Sequence, residues 1–144
     1  MPSVTIHQIE KFKCDVEYGA GIPLLRTDEP SPLGEGTGPT PAQLLASAVG
    51  NCLLDSFYFA LSKFKNTPNP LRCEVNAEVG RDADGKLRVL SIDATLHLSN
   101  TADELNQLDR ALEQFESFCT VTQSVRAAIP IQVKVMDKNG LGLK

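Results

Sequence analysis

The sequence predicts an α+β fold in a single domain spanning residues 1–144, with elements in the order β-β-α-β-β-α-α-β. Several segments alternate apolar and polar residues, which is typical of half-buried strands. One long segment repeats apolar residues at helical spacing. Because the strands come in pairs and the last two helices are consecutive, this order favours α+β over strictly alternating α/β.

The first elements form a predicted hairpin followed by a loop. Residues 11–18, KFKCDVEY, alternate with Cys14 and Val16 on the apolar phase, and this pattern predicts a strand. The segment GAG then turns the chain into IPLLRT, the second strand of the hairpin. Residues 28–40 contain three glycines and three prolines, so we expect an irregular loop.

Residues 40–64 give the strongest helix signal in the chain. Thr40 suits the N-cap, and Pro41 suits the first helical position. Gly50 is the one residue in this segment that weakens the helix prediction. The apolar positions recur at intervals of three and four residues: Leu45, Ala48, Val49, Cys52, Leu53, Phe57, Ala60, Leu61 and Phe64.

The second half of the chain predicts two more strands, two helices and a final strand. Residues 71–79 and 90–98 alternate in the manner of strands, and an Asp-Gly turn signal lies between them. Residues 101–118 predict one helix and residues 119–129 a short further helix, which Pro130 ends. The segment IQVKV that follows predicts the last strand.

Charge and hydropathy exclude several classes of partner. The net charge of −4 argues against binding to nucleic acid or to an anionic membrane, since both require a basic surface. We expect no membrane span, since no apolar run approaches the roughly 18 residues that a span needs. The N-terminus lacks the basic and apolar regions of a signal peptide. We therefore expect a cytoplasmic protein whose four cysteines are not structural disulfides.

The cysteines differ in their surroundings. Cys14 and Cys73 lie on the apolar phase of predicted strands and are expected to be small core residues. Cys52 lies on the inward stripe of the long helix. Cys119 precedes a Thr-x-x-Gln capping box that begins at Thr120, so we expect it beside the free N–H groups of a helix N-terminus. Such a position can lower the pKa of a thiol.

Other catalytic constellations are not supported by the sequence. The cysteines and the two histidines are scattered without a C-x-x-C pair, so no metal site is expected. A Cys–His pair with His97 is geometrically possible, although no motif supports it. The chain has no G-x-S-x-G elbow, and its glycine-rich loop lacks the Lys-Ser/Thr ending of a phosphate-binding loop.

Two segments resemble the OsmC/Ohr superfamily, named for osmotic induction and organic hydroperoxide resistance. GTGPTPAQLLASAVGNCLLDSF looks like the family's first cysteine helix, and FCTVTQSVR looks like its second cysteine segment. The resemblance covers nearly the whole chain and places it in the OsmC-like group. It implies an OsmC-like fold in which antiparallel sheets wrap around central helices, and an intertwined homodimer with the active site at the subunit interface.

The resemblance also implies a thiol-dependent peroxidase that reduces organic hydroperoxides without a metal or other cofactor. Cys52 would be the peroxidatic nucleophile, and Cys119 the resolving thiol. An external dithiol, lipoyl-type in the well-known branch, would act as reductant. An apolar surround would favour organic hydroperoxides, and four aromatic residues are candidates for it, although each could equally be plain core: Phe57, Phe59, Phe115 and Phe118.

Two activating residues of the hydroperoxide-resistance branch are missing from their usual places. That branch carries an Arg in the first hairpin turn, which here reads YGAGIP. It also carries a Glu just after the helix-opening proline, where this chain has Ala42. Arg26 and Glu35 are the candidates to replace them, and Arg126 is a further candidate cation.

These departures leave two other functions open. The protein could bind an apolar ligand in the cysteine pocket without turning it over. It could also be a redox sensor in which a Cys52–Cys119 disulfide changes partner binding.

Overall fold

The computed structural model of the chain describes residues 1–144 and contains two three-stranded sheets and three α-helices. The α+β prediction is confirmed. Contacts divide the chain into two compact units, Met1–Leu44 and Leu45–Lys144. The single domain expected over residues 1–144 stays a prediction.

The N-terminal unit contains an antiparallel sheet of three strands, β1 (Thr5–Glu10), β2 (Lys13–Glu17) and β3 (Leu25–Thr27). The predicted hairpin is present as β2 and β3. Sequence analysis did not predict β1, all of whose residues are exposed. Strand β1 therefore lacks the half-buried face on which an alternating pattern depends.

The loop after β3 is organised around one buried carboxylate. Asp28 accepts hydrogen bonds from the backbone N–H groups of Glu29 (2.8 Å), Glu35 (3.1 Å) and Thr37 (3.1 Å), and from the Thr37 hydroxyl (2.9 Å). Burial raises the pKa of Asp28, but these hydrogen bonds outweigh it and lower the pKa to about 2. Gly34 packs so closely against this carboxylate that a Cβ atom at Gly34 would lie 2.3 Å from Asp28 Oδ1.

The long helix α1 spans Pro41–Lys63. Thr40 caps it as predicted, because Gln43 N–H donates to Thr40 Oγ1 (3.2 Å) and Thr40 N–H donates to Gln43 Oε1 (2.9 Å). These two bonds form a capping box. Helix α1 is long and apolar enough to cross a membrane by length and composition, a test that the core helix of a soluble protein also passes.

The C-terminal unit has a second sheet, formed by β4 (Arg72–Arg81), β5 (Leu87–His97) and β6 (Ile131–Met136). Strands β4 and β5 are antiparallel, as predicted. Strand β6 pairs in parallel with β5, so the sheet is mixed. Between β5 and β6 lie α2 (Leu108–Gln114) and α3 (Thr120–Arg126).

The single helix predicted over residues 101–118 is wrong. The structure has a 3₁₀ turn at Ala102–Glu104, then α2, and then a second 3₁₀ turn at Phe115–Phe118. The interruption lies at Leu105, which is extended, and at Gln107, whose φ of 53° is left-handed. Leu105 is nevertheless buried, as are the later leucines of the predicted stripe. The apolar spacing thus identified the buried positions but not the backbone path.

The core of the C-terminal unit lies between α1, the inner face of β5 and α2. Phe57 and Phe115 are fully buried at its centre, with ring centroids 4.8 Å apart. The inward stripe of α1 is largely as predicted, since Val49, Leu53 and Leu61 have no exposed surface. Burial of such side chains is the main favourable contribution to folding.

Candidate active site

Cys52 and Cys119 form a pair of free thiols in the C-terminal unit. Cys52 lies in the middle of α1 and is partly exposed, whereas Cys119 is fully buried. The side chains of Cys52 and Cys119 interact, and this interaction contributes to a raised pKa of the Cys119 thiol. Two residues that are 67 positions apart in the chain are therefore neighbours in the fold.

The pKa of the Cys119 thiol is raised above its ordinary value. Burial is the largest cause, and the interaction with Cys52 adds to it. The side chain and backbone of Thr122 act in the opposite direction. The lowered pKa expected for Cys119 from the helix N-terminus is thus wrong, because desolvation of the thiolate outweighs the donors around it.

Cys119 is itself the N-cap of α3, with φ −80° and ψ 93°. The predicted capping box from Thr120 to Gln123 is not formed, because Thr120 is the first helical residue and Gln123 Nε2 donates to the Glu116 carbonyl (2.9 Å). Thr122 has no exposed surface, and its hydroxyl oxygen accepts a hydrogen bond from the protonated Cys119 thiol at 2.7 Å.

Sequence analysis missed Thr122 as a member of the site. A polar residue three positions after an N-cap cysteine is a usable signal, since the side chains of the N-cap and N3 positions approach each other. The misplaced N-cap at Thr120 concealed this spacing.

The other two cysteines, Cys73 and Cys14, have surroundings that differ from those of the thiol pair. Burial, and secondarily the charge of Glu74, raise the pKa of Cys73 to about 11, so that this thiol stays protonated at neutral pH. A raised pKa of this kind is typical of an inert structural cysteine. Cys14 lies in the wall of an open, mainly apolar cavity of about 390 Å³ in the N-terminal unit, together with Ile6, Phe12 and Leu44.

Arg26 and Glu35 both have ionic partners within the N-terminal unit. Arg26 makes a bidentate pair with Asp15, with Nε 2.5 Å from Oδ1 and Nη2 3.1 Å from Oδ2. This guanidinium holds the pKa of Asp15 below its ordinary value. Glu35 accepts a 2.6 Å hydrogen bond from Lys13 Nζ, and this bond raises the pKa of Lys13. The activating roles expected for Arg26 and Glu35 stay predictions.

Arg126, the further candidate cation, is paired with an acidic residue just before Cys119. Its Nη2 donates to Glu116 Oε1 (2.7 Å) and to the Ile131 carbonyl (3.3 Å). Lys144 Nζ donates to the other oxygen of the same carboxylate, Glu116 Oε2 (2.5 Å). Through the Glu116 carboxylate, the two cations thus stabilise the 3₁₀ turn Phe115–Phe118, which directly precedes Cys119.

The four candidate aromatic residues separate into two pairs. Phe57 and Phe115 are core residues. Phe59 and Phe118 are 53% and 42% exposed, meet edge to face at 5.8 Å, and carry Lys63 Nζ over both rings. Only this second pair has a surface that a ligand can reach.

The histidines and the acidic residues do not form a metal site. No group of three or more His, Cys, Asp or Glu side chains is arranged to hold a metal ion. His97 pairs with Glu74 on the surface of the sheet, at 3.3 Å.

The fold and the paired free thiols define a dithiol protein of the α+β class. The chain belongs to the OsmC-like protein family, whose model matches residues 34–134. No significant match to a curated protein was found.

Several solved structures share the fold. The OsmC-like protein from Mycoplasma pneumoniae is 16% identical, with a TM-score of 0.79 over 95% of this chain and 96% of that one. The organic hydroperoxide resistance protein OhrB of Bacillus subtilis is 14% identical, with a TM-score of 0.73 over 94% and 97%. An organic hydroperoxide resistance protein from Elizabethkingia anophelis is 13% identical, with a TM-score of 0.74 over 95% and 97%. These identities establish a shared fold.

Proposed function

We propose that this protein is a thiol-dependent peroxidase that reduces organic hydroperoxides to alcohols through Cys52 and Cys119. The observation that carries the proposal is the interaction between the side chains of two free cysteines, one partly exposed and one buried. Membership of the OsmC-like family supports it, as does the shared fold with proteins named for organic hydroperoxide resistance.

In the first step, the Cys52 thiolate attacks the terminal oxygen of the hydroperoxide. A sulfur–oxygen bond forms while the O–O bond breaks, and the alkoxide takes up a proton and leaves as the alcohol. Cys52 is oxidised to a sulfenic acid and the hydroperoxide is reduced by two electrons. The partial exposure of Cys52 gives a substrate access to this sulfur.

In the second step, the Cys119 sulfur attacks the sulfenic sulfur of Cys52. The Cys52–Cys119 disulfide forms, and the sulfenic hydroxyl leaves as water with the proton of the Cys119 thiol. An external dithiol then reduces the disulfide by exchange and is itself oxidised to a disulfide. The cycle needs no metal or other cofactor.

The environments of the two thiols support this division of roles. The raised pKa of Cys119 keeps its proton in place at neutral pH. That proton is consumed in the release of water. A fully buried thiol is also poorly placed to meet a substrate from solvent, which favours Cys119 as the resolving residue.

We further propose that the protein acts as a cytoplasmic homodimer. The chain alone leaves many large apolar side chains exposed, including Tyr58 and Phe59 on α1 and Ile6 and Ile9 on β1. Exposed apolar side chains in this number are typical of an interaction surface. Size-exclusion chromatography with light scattering tests the dimer.

The main test measures consumption of cumene hydroperoxide in the presence of dithiothreitol or a reduced lipoyl compound. Cys52→Ser should abolish turnover, whereas Cys119→Ser should still complete one round of peroxide reduction without forming the disulfide. Cys73→Ser is the matched control and should retain wild-type turnover. If wild type is no faster than Cys52→Ser, the peroxidase proposal fails. Ligand binding or redox sensing by the same cysteines would then be the better account.

The activating residues need a separate test. If Arg26 assists the Cys52 thiolate, Arg26→Met should lower kcat/KM by at least about tenfold, the effect of losing one charge-assisted hydrogen bond. Glu35→Gln should act in the same direction if Glu35 orients that cation. Arg72→Met, which removes an exposed Arg paired with Glu74, is the control. Unchanged kcat/KM in Arg26→Met would remove Arg26 from the site.

A further inference from the structure

We propose that Thr122 sets the direction in which the Cys52–Cys119 disulfide is reduced: the dithiol attacks Cys52, and Cys119 leaves as a thiolate hydrogen-bonded by the Thr122 hydroxyl. The inference rests on the proposed function, because it assigns the step that regenerates the enzyme. It adds a catalytic residue, since Thr122 contacts a reacting sulfur.

Access distinguishes the two sulfurs. Cys52 is partly exposed, whereas Cys119 has no exposed surface. Thiol–disulfide exchange requires the incoming thiolate to reach one sulfur of the disulfide, and the other sulfur becomes the leaving group. An external reductant therefore reaches Cys52, and Cys119 is the sulfur that departs.

A thiolate that is released at a buried position needs hydrogen-bond donors, because an unpaired charge there is costly. Thr122 is also fully buried, and its Oγ1 lies 2.7 Å from Cys119 Sγ. The hydroxyl proton can rotate towards the sulfur when the sulfur becomes an acceptor. Thr122 thus offers the leaving sulfur a donor that is already in place.

The exchange proceeds in two steps. The thiolate of the dithiol forms a bond with Cys52 Sγ, the Cys52–Cys119 bond breaks, and its electron pair passes to Cys119 Sγ. The second thiolate of the dithiol then attacks the first sulfur of the dithiol, which is bonded to Cys52 in the mixed disulfide. This attack releases the Cys52 thiolate. The dithiol is oxidised to a cyclic disulfide, and its two protons become available to the two cysteines.

The state of Cys52 during this step removes one contribution that opposes the departure of Cys119. In the reduced protein, part of the raised pKa of Cys119 comes from its interaction with Cys52. In the mixed disulfide Cys52 carries neither a proton nor a charge, so this contribution disappears. The effect of Thr122, which lowers the pKa of Cys119, remains. Burial, the largest cause of the raised pKa of Cys119, remains and acts against its departure, since thiols of lower pKa leave faster, and the Thr122 hydroxyl is the group that offsets it.

Which of the two cysteines the incoming thiol attacks can be determined without measuring peroxidase activity. The protein is oxidised with diamide, treated briefly with glutathione, quenched with iodoacetamide and analysed by peptide mass spectrometry. We expect glutathione on Cys52 and the alkyl group on Cys119. The reverse assignment, or the absence of a Cys52–Cys119 disulfide after diamide, would overturn the inference. Failure of the proposed function would appear separately, as a lack of hydroperoxide consumption.

Two variants test Thr122 itself. Thr122→Val removes the hydroxyl at nearly constant shape, and Thr122→Ser keeps it. We expect the rate constant for reduction of the diamide-formed disulfide by dithiothreitol to fall about tenfold in Thr122→Val and to change less than about twofold in Thr122→Ser. Glutathione should also become less selective for Cys52 in Thr122→Val. Equal rates in the two variants would overturn the role of the hydroxyl, and the wild-type mapping stands independently of how either variant folds.

Discussion

Gly50 on α1 packs so closely against Val75 on β4 that a Cβ atom at Gly50 would lie 2.7 Å from Val75 Cγ2. Glycine in a helix interior normally costs about 1 kcal/mol relative to alanine. At position 50 we expect glycine to be more stabilising than alanine. Gly50→Ala should lower the free energy of unfolding by about 1–3 kcal/mol, the usual cost of overpacking against a stiff β-branched side chain. Urea denaturation measures the difference.

Two further variants separate contact from helix propensity. Gly50→Ala combined with Val75→Ala should be more stable than the sum of the single changes predicts, because the contacting methyl is gone. Ala48→Gly, at an exposed position of the same helix, should cost about 1 kcal/mol from propensity alone. A stabilising Gly50→Ala would show that the close approach imposes no cost.

Phe57 and Phe59 lie two positions apart on α1 in opposite environments, so truncation should affect them unequally. Phe57 is fully buried against Phe115, and Phe57→Ala should cost about 3–5 kcal/mol through lost burial and a residual cavity. Phe59 is 53% exposed, and Phe59→Ala should cost about 1 kcal/mol from its edge-to-face pair with Phe118. Thermal unfolding of both variants at one protein concentration compares them. Equal losses would contradict this assignment.

Asp28 should make the N-terminal unit sensitive to acid. Its pKa is lowered to about 2, so the stability it contributes is fully present above the ordinary value of 3.8 and is lost as the pH falls through about 2. Asp28→Asn should therefore lower the melting temperature at pH 6, and the gap to wild type should narrow between pH 4 and pH 2. A gap that stays constant with pH would show that the carboxylate charge is unimportant.

Cys73 should make the stability of the protein sensitive to alkali. Its pKa is raised from 9.0 to about 11, so its stabilising contribution is present below pH 9 and is lost as the pH rises through about 11. The melting temperatures of wild type and Cys73→Ala should thus converge between pH 8 and pH 10.5. Val75→Ala on the same strand removes a group that does not titrate, and its effect should not vary in this way.

Predictions from the sequence succeeded where a single helix or strand buries its own apolar side chains. The cap at Thr40 and the stripe through Val49 and Leu53 are local signals, and both are present in the structure. The same spacing failed to reveal the break at Gln107, because Leu105 and Leu108 remain buried although the helix between them is interrupted. Apolar periodicity predicts which side chains are buried. It does not predict the conformation of the backbone between them.

The candidate site was predictable only in part. The family resemblance pointed to Cys52 and Cys119, whose side chains interact in the structure and whose roles stay predictions. The pKa of Cys119 was predicted in the wrong direction, since the cost of burial depends on tertiary packing and is not visible in a capping pattern. Thr122 was missed because the capping box was placed one residue too late.

The sequence separation of the two thiols has a consequence for the unfolded chain. A Cys52–Cys119 disulfide of the kind we propose would close a loop of about 70 residues and restrict the unfolded ensemble by roughly 4 kcal/mol of lost entropy. Each oxidation would then leave the molecule harder to unfold, and each reduction would release it again. Resistance to heat would rise and fall with every turnover, so that a thermal shift would report the fraction of the protein that is oxidised at the time of measurement.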